Sequence, residues 1–468
     1  MKTAAPNIVF VLTDDQRFDT IGALGNPHVR TPHLDALAER GTVFTRAHIP
    51  GGTHGAVCMP SRAMIHTGRT LFHLEREGQQ LPAEHATLAE TLRAAGYHTY
   101  GIGKWHNGRP AFARGFAGGD EIFFGGMWDH WNVPAYRFDP AGRYAAQLPM
   151  VPDFLHSNEV LWRPGDHLTA GRHSTELFLD AALEFLRSYR EQRPFFLYLA
   201  FLAPHDPRTM PEAFRRLYDP DRLPLPPNFL PEHPIDQGDR RIRDEMLAGF
   251  PRTPAEVRRH LAEYYAMISH LDDALGRLCA ALEQSGRRDN TLLVLAGDNG
   301  LAVGQHGLMG KQNLYDHSVR VPLLLAGPGV PRAERREALV YLLDLFPTLC
   351  ELAGFPIPAT VEGRSLTPCL EGRGGGREEL YLAYASHIRG VTDGRRKLIE
   401  YACGATQLFD LAADPWETRN LAGEAGRQAE LAELRQRLRR LAAAWDDEQH
   451  PTGQAFWAQR PDLKAAPA

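Results

Sequence analysis

The sequence predicts an α/β protein with a large, mostly parallel central sheet flanked by helices, plus a small C-terminal α+β region with an antiparallel sheet. Five apolar runs without polar alternation predict strands that are buried on both faces, at residues 7–12, 97–102, 195–202, 291–296 and 321–326. Segments with helical periodicity lie between these runs, and this alternation is typical of a sheet covered by helices.

Four segments between the strands are predicted to be helices, at residues 31–40, 86–95, 168–190 and 254–285. In the first of them Thr31 is at the N-cap position, Pro32 follows in the first turn, and Gly41 comes just after the end. Residues 220–244 are rich in proline and charge, so we expect a surface excursion there. The mixed charges of residues 240–244 are expected to be solvated.

The character of the sequence changes after residue 364. Residues 371–377 (EGRGGGR) predict a linker or an exposed loop. Short strands are predicted at residues 380–386, 397–401 and 407–411, and a helix at residues 425–445, with a loose tail after residue 450. We therefore divide the chain into a domain of residues 1–370 and a second of residues 371–468.

Composition excludes several classes of protein. The 468 residues carry a net charge of −5, are 43% hydrophobic, and include 43 glycines and 35 prolines, which is typical of a globular chain. The negative charge argues against a nucleic-acid-binding protein. Five scattered cysteines do not indicate a disulfide framework; they are Cys58, Cys279, Cys350, Cys369 and Cys403.

The N-terminal segment MKTAAPNIVFVLTDDQ has too short an apolar run for a signal peptide. No stretch approaches the roughly 18 apolar residues of a membrane helix. We therefore expect a cytoplasmic protein with no membrane partner, or a periplasmic or secreted one if the start is truncated.

Polar side chains follow four of the predicted strands. They are Asp14 and Asp15 after the first run, Lys104 and His106 after the second, His205 after the third, and Asp298 and Asn299 after the fourth. Ligands of open α/β sheets bind beyond the carboxyl ends of the strands. A single Asp after a strand is usually a cap or turn residue, but two acidic pairs favour a bound Ca²⁺ or Mg²⁺ with oxygen ligands.

Cys58 lies in the glycine-containing segment GGTHGAVCMPSRAMIHTGR at residues 51–69. Pro60 predicts a helix start there, which places the cysteine near a helix N-terminus and Arg62 one turn further on. As a thiol it is a candidate nucleophile of low pKa, and the alternative is a buried core residue. The buried-core interpretation is favoured for Cys279, Cys350 and Cys369.

These residues resemble the type I sulfatase family of the alkaline-phosphatase-like superfamily. CMPSR at residues 58–62 is similar to the family signature, and TDDQR at 13–17 to its first metal motif. Further similarities, in family order, are TPHLDALAERGTVFTRAH at 31–48, GYHTYGIGKWH at 96–106, GDNG at 297–300, GKQNLYDHSVRVPLLLAGPG at 310–329 and LFDLAADPWETRNLA at 408–422. The resemblance covers most of the chain and implies an alkaline-phosphatase-like fold.

The resemblance also implies an activity, the hydrolysis of a sulfate ester, with a sulfated saccharide as the expected substrate. A separate formylglycine-generating enzyme would oxidise Cys58 to formylglycine. Asp14, Asp15, Asp298 and Asn299 would hold a divalent cation, commonly Ca²⁺ with Mg²⁺ possible, together with the modified Cys58. Arg62 would stabilise the hydrated formylglycine. Lys104, His106, His205 and Lys311 would bind the sulfate and assist proton transfer, with either histidine as the proton donor.

Two alternatives remain open in the sequence. One is a phosphonate monoester or phosphodiester hydrolase of the same superfamily; such relatives tend to have His where this chain has Asn299, which favours a sulfatase. The other is a non-catalytic glycan-binding protein. Residues 123–131 (FFGGMWDHW) predict either a wall of the substrate pocket or loop packing, and His54 either a pocket residue or a turn residue. His306, Tyr315, Asp316 and Arg320, which flank Lys311, are interpreted as mainly structural.

Overall fold

A mixed sheet of eight strands forms the centre of the protein in the computed structural model, which describes residues 5–153 and 155–464. In spatial order the strands are Glu334–Arg336, Thr42–Phe44, Leu323–Ala326, Thr291–Gly297, Asn7–Thr13, Phe195–Ala200, His98–Lys104 and Gly118–Phe123. Neighbouring strands are parallel except for Leu323–Ala326, which is antiparallel to both of its neighbours. The predicted mostly parallel sheet is confirmed, and all five predicted runs contribute a strand.

Helices cover both faces of this sheet, which is why its central strands are apolar throughout. One face packs against Pro32–Arg40, Ser174–Ser188 and Pro254–Gln284. The other packs against Cys58–Thr67, Leu88–Ala94, Arg109–Gly115 and Leu345–Ala353. Three helices of one turn, Glu212–Arg215, Asp316–Val319 and Thr367–Leu370, lie in the connections.

Of two predicted helix N-termini, the N-cap position of Thr31 is confirmed and the start at residue 168 is wrong. Thr31 is at the N-cap position of Pro32–Arg40, but its side chain makes no capping bond and instead donates to Asp35 Oδ1 at 3.1 Å. The helix predicted from residue 168 begins only at Ser174, because His167–Leu168 is a short strand. Its N-cap is His173, whose side chain accepts a hydrogen bond from Thr175 N.

The C-terminal region contains a five-stranded sheet. Four antiparallel strands, Leu380–Tyr384, Ile388–Thr392, Arg396–Tyr401 and Thr406–Asp410, are joined by Gly51–Gly52, which pairs parallel with the first of them. The long helix Gln428–Ala444 packs against this sheet through the same hydrophobic core as the central one. The predicted antiparallel sheet is confirmed, while the domain boundary at residues 370/371 stays a prediction.

The prediction of a loose tail after residue 450 is wrong for the described part of the tail. Pro451–Gln459 and Pro461–Lys464 are helices, and Phe456 and Trp457 are buried in the core, so apolar burial orders this segment. Residues 465–468 lie outside the described residues.

Six short strands of the described residues form three two-stranded sheets outside the two larger ones: Ala47–His48, Pro134–Ala135, Gln147–Met150, Leu161–Pro164, His167–Leu168 and Val340–Tyr341. All five cysteines are free. Within residues 5–153 and 155–464, no helix is both long and apolar enough to span a bilayer. Residues 1–4, on which the prediction about the N-terminal segment partly rests, lie outside the described residues.

Candidate active site

Two acidic pairs meet at the carboxyl edge of the central sheet. Asp14 and Asp15 follow the strand Asn7–Thr13, and Asp298 and Asn299 follow its parallel neighbour Thr291–Gly297. The backbone joins the two strand ends, because Asp298 N donates to Thr13 O at 3.0 Å and Asp15 N donates to Asp298 Oδ1 at 3.1 Å. All four side chains are buried. The structure therefore places the predicted cation ligands together in the interior, at one edge of the sheet.

The donor atoms of this cluster fit a divalent cation. Ligand atoms of Asp14, Cys58 and Asp298 lie within 4.8 Å of one another, and so do those of Asp14, Asp15 and His205. Asp14 Oδ1 and Asn299 Oδ1 are buried and have no hydrogen-bond partner among the described residues. Unpartnered buried oxygens are costly, and oxygen ligands are what Ca²⁺ and Mg²⁺ prefer.

Each carboxylate of the cluster has a cationic partner. Lys104 Nζ donates to Asp14 Oδ2, Lys311 Nζ donates to Asp15 Oδ1 at 2.6 Å, and Arg62 Nε donates to Asp298 Oδ2 at 2.7 Å. Burial and the charge of Asp14 raise the pKa of Asp298. Burial lowers the pKa of Lys311, but Asp15 and its other anionic neighbours outweigh burial and hold that pKa well above its usual value. The cluster therefore concentrates three fixed positive charges at the sheet edge.

Cys58 is the first residue of the helix Cys58–Thr67, as the position of Pro60 predicted. Its Sγ lies 3.6 Å from Lys104 Nζ and 3.5 Å from His106 Nδ1. The expectation of a low thiol pKa is wrong, because burial raises the pKa of Cys58 more than Lys104 and Lys311 lower it.

Two histidines flank the cysteine and the acidic cluster. His106 contacts Cys58, and burial together with nearby Lys104 keeps its pKa well below the usual value. His205 Nδ1 donates to Asp206 O at 2.8 Å, which leaves Nε2 facing Asp15 Oδ2 at 3.6 Å. All the candidate residues named from the sequence thus lie in one contiguous cluster.

The sequence does not indicate that His130 supports His205, because residues 123–131 predict a pocket wall and loop packing equally. It is buried directly behind His205, and its Nε2 donates to His205 O at 2.9 Å. Since a carbonyl oxygen only accepts, Nε2 carries a proton, and in the corresponding neutral tautomer Nδ1 accepts from Ser174 Oγ at 2.7 Å. Burial keeps that tautomer, because it lowers the pKa of His130 to about 4. Only the spatial neighbours of His130 reveal this role.

A cavity of about 510 Å³ opens onto this cluster, and Cys58, His106, His205 and Lys311 are on its inner wall. His54 also lines it, and its Nδ1 accepts from Ala56 N at 3.1 Å, so His54 is both a pocket and a turn residue. Gly126 and Met127 line the cavity as well, which supports the pocket-wall interpretation for that part of residues 123–131.

The expectation that residues 240–244 are solvated is correct for exposed Arg240 and Arg241, but the three residues after them contribute to the site. Ile242, Arg243 and Asp244 line the cavity, and Arg243 pairs with buried Asp206, the neighbour of His205. Asp244 Oδ2 accepts from Gln312 Nε2 at 2.7 Å, beside Lys311. The proline-rich excursion therefore folds back over the site, and no periodicity in its sequence indicates this.

Comparison with known proteins identifies the family. The sulfatase family model matches residues 6–355, and a model of the C-terminal part of N-sulphoglucosamine sulphohydrolase matches residues 304–444. The chain belongs to the sulfatase family. It is a sulfuric ester hydrolase with the fold predicted for the alkaline-phosphatase-like superfamily.

A curated relative agrees with this assignment, and two solved structures share the fold. An N-acetylglucosamine-6-O-sulfatase of Bacteroides thetaiotaomicron is 26% identical over 95% of this chain and 88% of its own length. The solved structure of BT4656 with its substrate D-glucosamine-2-N,6-O-disulfate has a TM-score of 0.77 at 22% identity, covering 95% of this chain and 99% of that one. The phosphonate monoester hydrolase of Agrobacterium radiobacter has a TM-score of 0.73 at 23% identity, covering 94% and 96%.

The residues that flank Lys311 in this sulfatase are mainly structural, as interpreted. Buried Lys397 of the C-terminal sheet pairs with Asp316 and, at 2.7 Å, with Glu417 Oε1. His306 stacks on Tyr315 with ring centroids 3.8 Å apart. The ion pair of Lys397 with Asp316 attaches the C-terminal sheet to the segment that carries Lys311.

Proposed function

We propose that this sulfatase cleaves the sulfate ester of a saccharide at the Cys58 cluster, with Cys58 converted to formylglycine. The observation that carries the proposal is the convergence of Cys58 with three buried cations and the oxygen-rich pair of strand ends. A monoanionic sulfate ester needs positive charge around the sulfuryl group and a nucleophile beside it. This cluster offers both within one cavity.

The nucleophile is supplied by the modification. Hydrated formylglycine would supply a geminal diol, with one hydroxyl as the nucleophile toward sulfur and a second whose deprotonation would release sulfate and restore the aldehyde. Cys58 is suited to carry it because the residue begins a helix, where backbone N–H groups favour negative charge. Lys104 Nζ and His106 Nδ1 lie near enough to Sγ to orient an oxygen in its place. The formylglycine-generating enzyme is thereby a maturation partner.

Asp14, Asp15, Asp298 and Asn299 would hold the cation together with residue 58, and Ca²⁺ is proposed over Mg²⁺. A bound divalent ion supplies positive charge next to the reacting sulfate. The proposal is supported by the unpartnered Oδ1 atoms of Asp14 and Asn299, and by a ligand set without a thiolate cluster.

We assign sulfate binding to the surrounding cationic side chains and proton transfer to the histidines. Lys104 and Lys311 are placed to neutralise sulfate oxygens, and Arg62 to hold Asp298 and the hydrated residue 58. His106 and His205 are the two candidates for the proton donor to the leaving alkoxide, and both line the cavity. A saccharide substrate is supported by the activity named for the Bacteroides thetaiotaomicron relative.

The decisive experiment is mass spectrometry of the Cys58 peptide after co-expression with the formylglycine-generating enzyme, combined with turnover of 4-nitrophenyl sulfate and a panel of sulfated monosaccharides. We expect the mass of formylglycine at residue 58 and release of sulfate. An unmodified peptide without turnover would support a non-catalytic glycan-binding protein instead.

The same assay separates the phosphonate or phosphodiester alternative. The substrates 4-nitrophenyl sulfate, bis(4-nitrophenyl) phosphate and 4-nitrophenyl phenylphosphonate share one leaving group. Differences between their rates therefore report on the transferred group. We expect the sulfate ester to be cleaved fastest. Faster cleavage of the diester or the phosphonate would overturn the proposed sulfatase specificity.

A further inference from the structure

The outer part of the active-site cavity is built by two segments that take no part in the acidic cluster. Asp239 and residues 242–244 of the proline-rich excursion form one side. Tyr384, Ala385 and His387, from the first turn of the C-terminal sheet, form the other. The two sides come from parts of the chain more than 130 residues apart, so their meeting at the cavity mouth is a product of the fold.

The C-terminal turn is fixed relative to Cys58 by main-chain pairing. Ala383 N donates to Pro50 O and Ala385 N to Gly52 O, both at 2.8 Å, just before the segment that carries the cysteine. Gly51 has φ 107°, and a Cβ at this position would lie 2.1 Å from Ala383 O. Only glycine permits this close approach, which sets the distance between the turn and the sulfate end of the cavity.

The excursion is anchored to the same centre from the opposite side. Gln237 Nε2 donates to Gln312 O at 2.9 Å, and Gln312 Nε2 donates to Asp244 Oδ2 at 2.7 Å. Gln312 is the residue after Lys311. One wall of the mouth is thus tied to the segment before Cys58 and the other to the residue after Lys311, and such support of a site is what selective binding requires.

The two walls meet in a cluster of three polar side chains. Buried Tyr384 donates its hydroxyl proton to Asp239 Oδ2 at 2.6 Å, and His387 Nε2 lies 3.8 Å from the same oxygen. The side chains of Asp239 and His387 remain 25% and 34% exposed. Both contacts are made by Oδ2 of Asp239, and its Oδ1 takes part in neither of them. A carboxylate oxygen and an imidazole are therefore presented together on the cavity wall.

We propose that Asp239 and His387 are specificity-determining residues that bind hydroxyl groups of the sugar ring carrying the sulfate. The inference rests on the proposed function and adds which residues recognise the saccharide. A carboxylate accepts hydrogen bonds from ring hydroxyls, and an imidazole can donate to or accept from the neighbouring one. An aryl sulfate has no such hydroxyls and leaves these groups without partners, so the site discriminates against it.

The experiment compares Asp239→Asn, His387→Gln and the matched control Asp221→Asn, a carboxylate of the same excursion outside the cavity lining. The readout is the ratio of kcat/KM for the sulfated monosaccharide that the wild-type enzyme cleaves fastest to kcat/KM for 4-nitrophenyl sulfate. Each pocket variant is expected to lower this ratio by about 10- to 100-fold through KM for the sugar, and the control to leave it unchanged.

This ratio of kcat/KM values separates substrate recognition from a structural role, because a loosened cavity would lower kcat/KM for both substrates alike. A ratio within twofold of wild type in both pocket variants would overturn the inference. Partly exposed His387 provides the second variant if Asp239→Asn does not fold. Cleavage of aryl sulfate with no sulfated sugar turned over would overturn the saccharide subsite but not the sulfatase activity, whereas cleavage of neither would overturn the proposed function itself.

Discussion

Arg62 and Asp298 form a wholly buried ion pair, with Nε donating to Oδ2 at 2.7 Å and both side chains fully shielded from solvent. The pair joins the start of the Cys58 helix to the end of a central strand. Arg62 Nη2 also lies 3.6 Å from Asp14 Oδ2, so one guanidinium faces two carboxylates. The charge balance of the site therefore depends on Arg62 as well as on any bound cation.

Replacing Arg62 by methionine is expected to destabilise the fold by about 3–5 kcal/mol, because it leaves Asp298 buried without its cationic partner. The loss should be larger in EDTA than in millimolar Ca²⁺, since a bound cation compensates the same carboxylates. Urea unfolding in both buffers measures this, with Arg62→Lys as the charge-preserving control. Equal losses in the two buffers would show that no cation shares these carboxylates.

Asn299→Ala tests the cation site without unpairing a charge. The substitution removes the unpartnered Oδ1 and the 2.6 Å bond from Asn299 Nδ2 to Asp15 Oδ1. We expect calorimetry to show Ca²⁺ affinity reduced about 10- to 100-fold. Stabilisation of the wild type by Ca²⁺, about 2.7 kcal/mol at 100 times Kd, should shrink accordingly. Unchanged affinity would remove Asn299 from the proposed ligand set.

Cys58→Ala is expected to reduce turnover of 4-nitrophenyl sulfate by at least about a thousandfold, because no other group in the cavity replaces the proposed nucleophile. Cys369→Ala is the matched control, because Cys369 is a buried cysteine in the one-turn helix Thr367–Leu370 and does not line the cavity. The melting temperature reports whether each variant is folded. Activity near the wild-type level in folded Cys58→Ala would refute the nucleophile assignment.

The sequence predicts the central strands and the inner site for the same physical reason. Runs such as residues 7–12 and 291–296 are apolar because both faces are covered, and the acids that follow them must meet where parallel neighbours end. Glu334–Arg336 was not predicted, because it is a three-residue edge strand of charged residues whose pairing depends on Thr42–Phe44. Edge strands lack the apolar signal that burial imposes.

The outer site was not predictable, because its residues owe their position to tertiary contacts. Asp239 belongs to a segment without periodicity, and His387 to a turn next to the strand Ile388–Thr392, which was itself missed. Neither residue stands near a recognisable motif. The pairing of Gly51–Gly52 with the C-terminal sheet, which joins segments more than 300 residues apart, positions His387. The hydrogen bonds of Gln312 to the excursion position Asp239 beside it.

His167 should make stability depend on pH outside the active site. Its Nε2 lies 2.9 Å from Glu121 Oε2 and its Nδ1 contacts Asp166, and these bonds raise the pKa of His167 from 6.5 to about 9. A raised pKa gives stabilisation that is complete below pH 6.5 and is lost as the pH rises through 9. Solvent screening limits the loss to about 1 kcal/mol. Urea unfolding from pH 6 to 10 should show that the free energy of unfolding declines more steeply for the wild type than for His167→Gln. The control His156→Gln, at an exposed histidine, should follow the wild type. Parallel pH profiles for the wild type and His167→Gln would exclude this linkage.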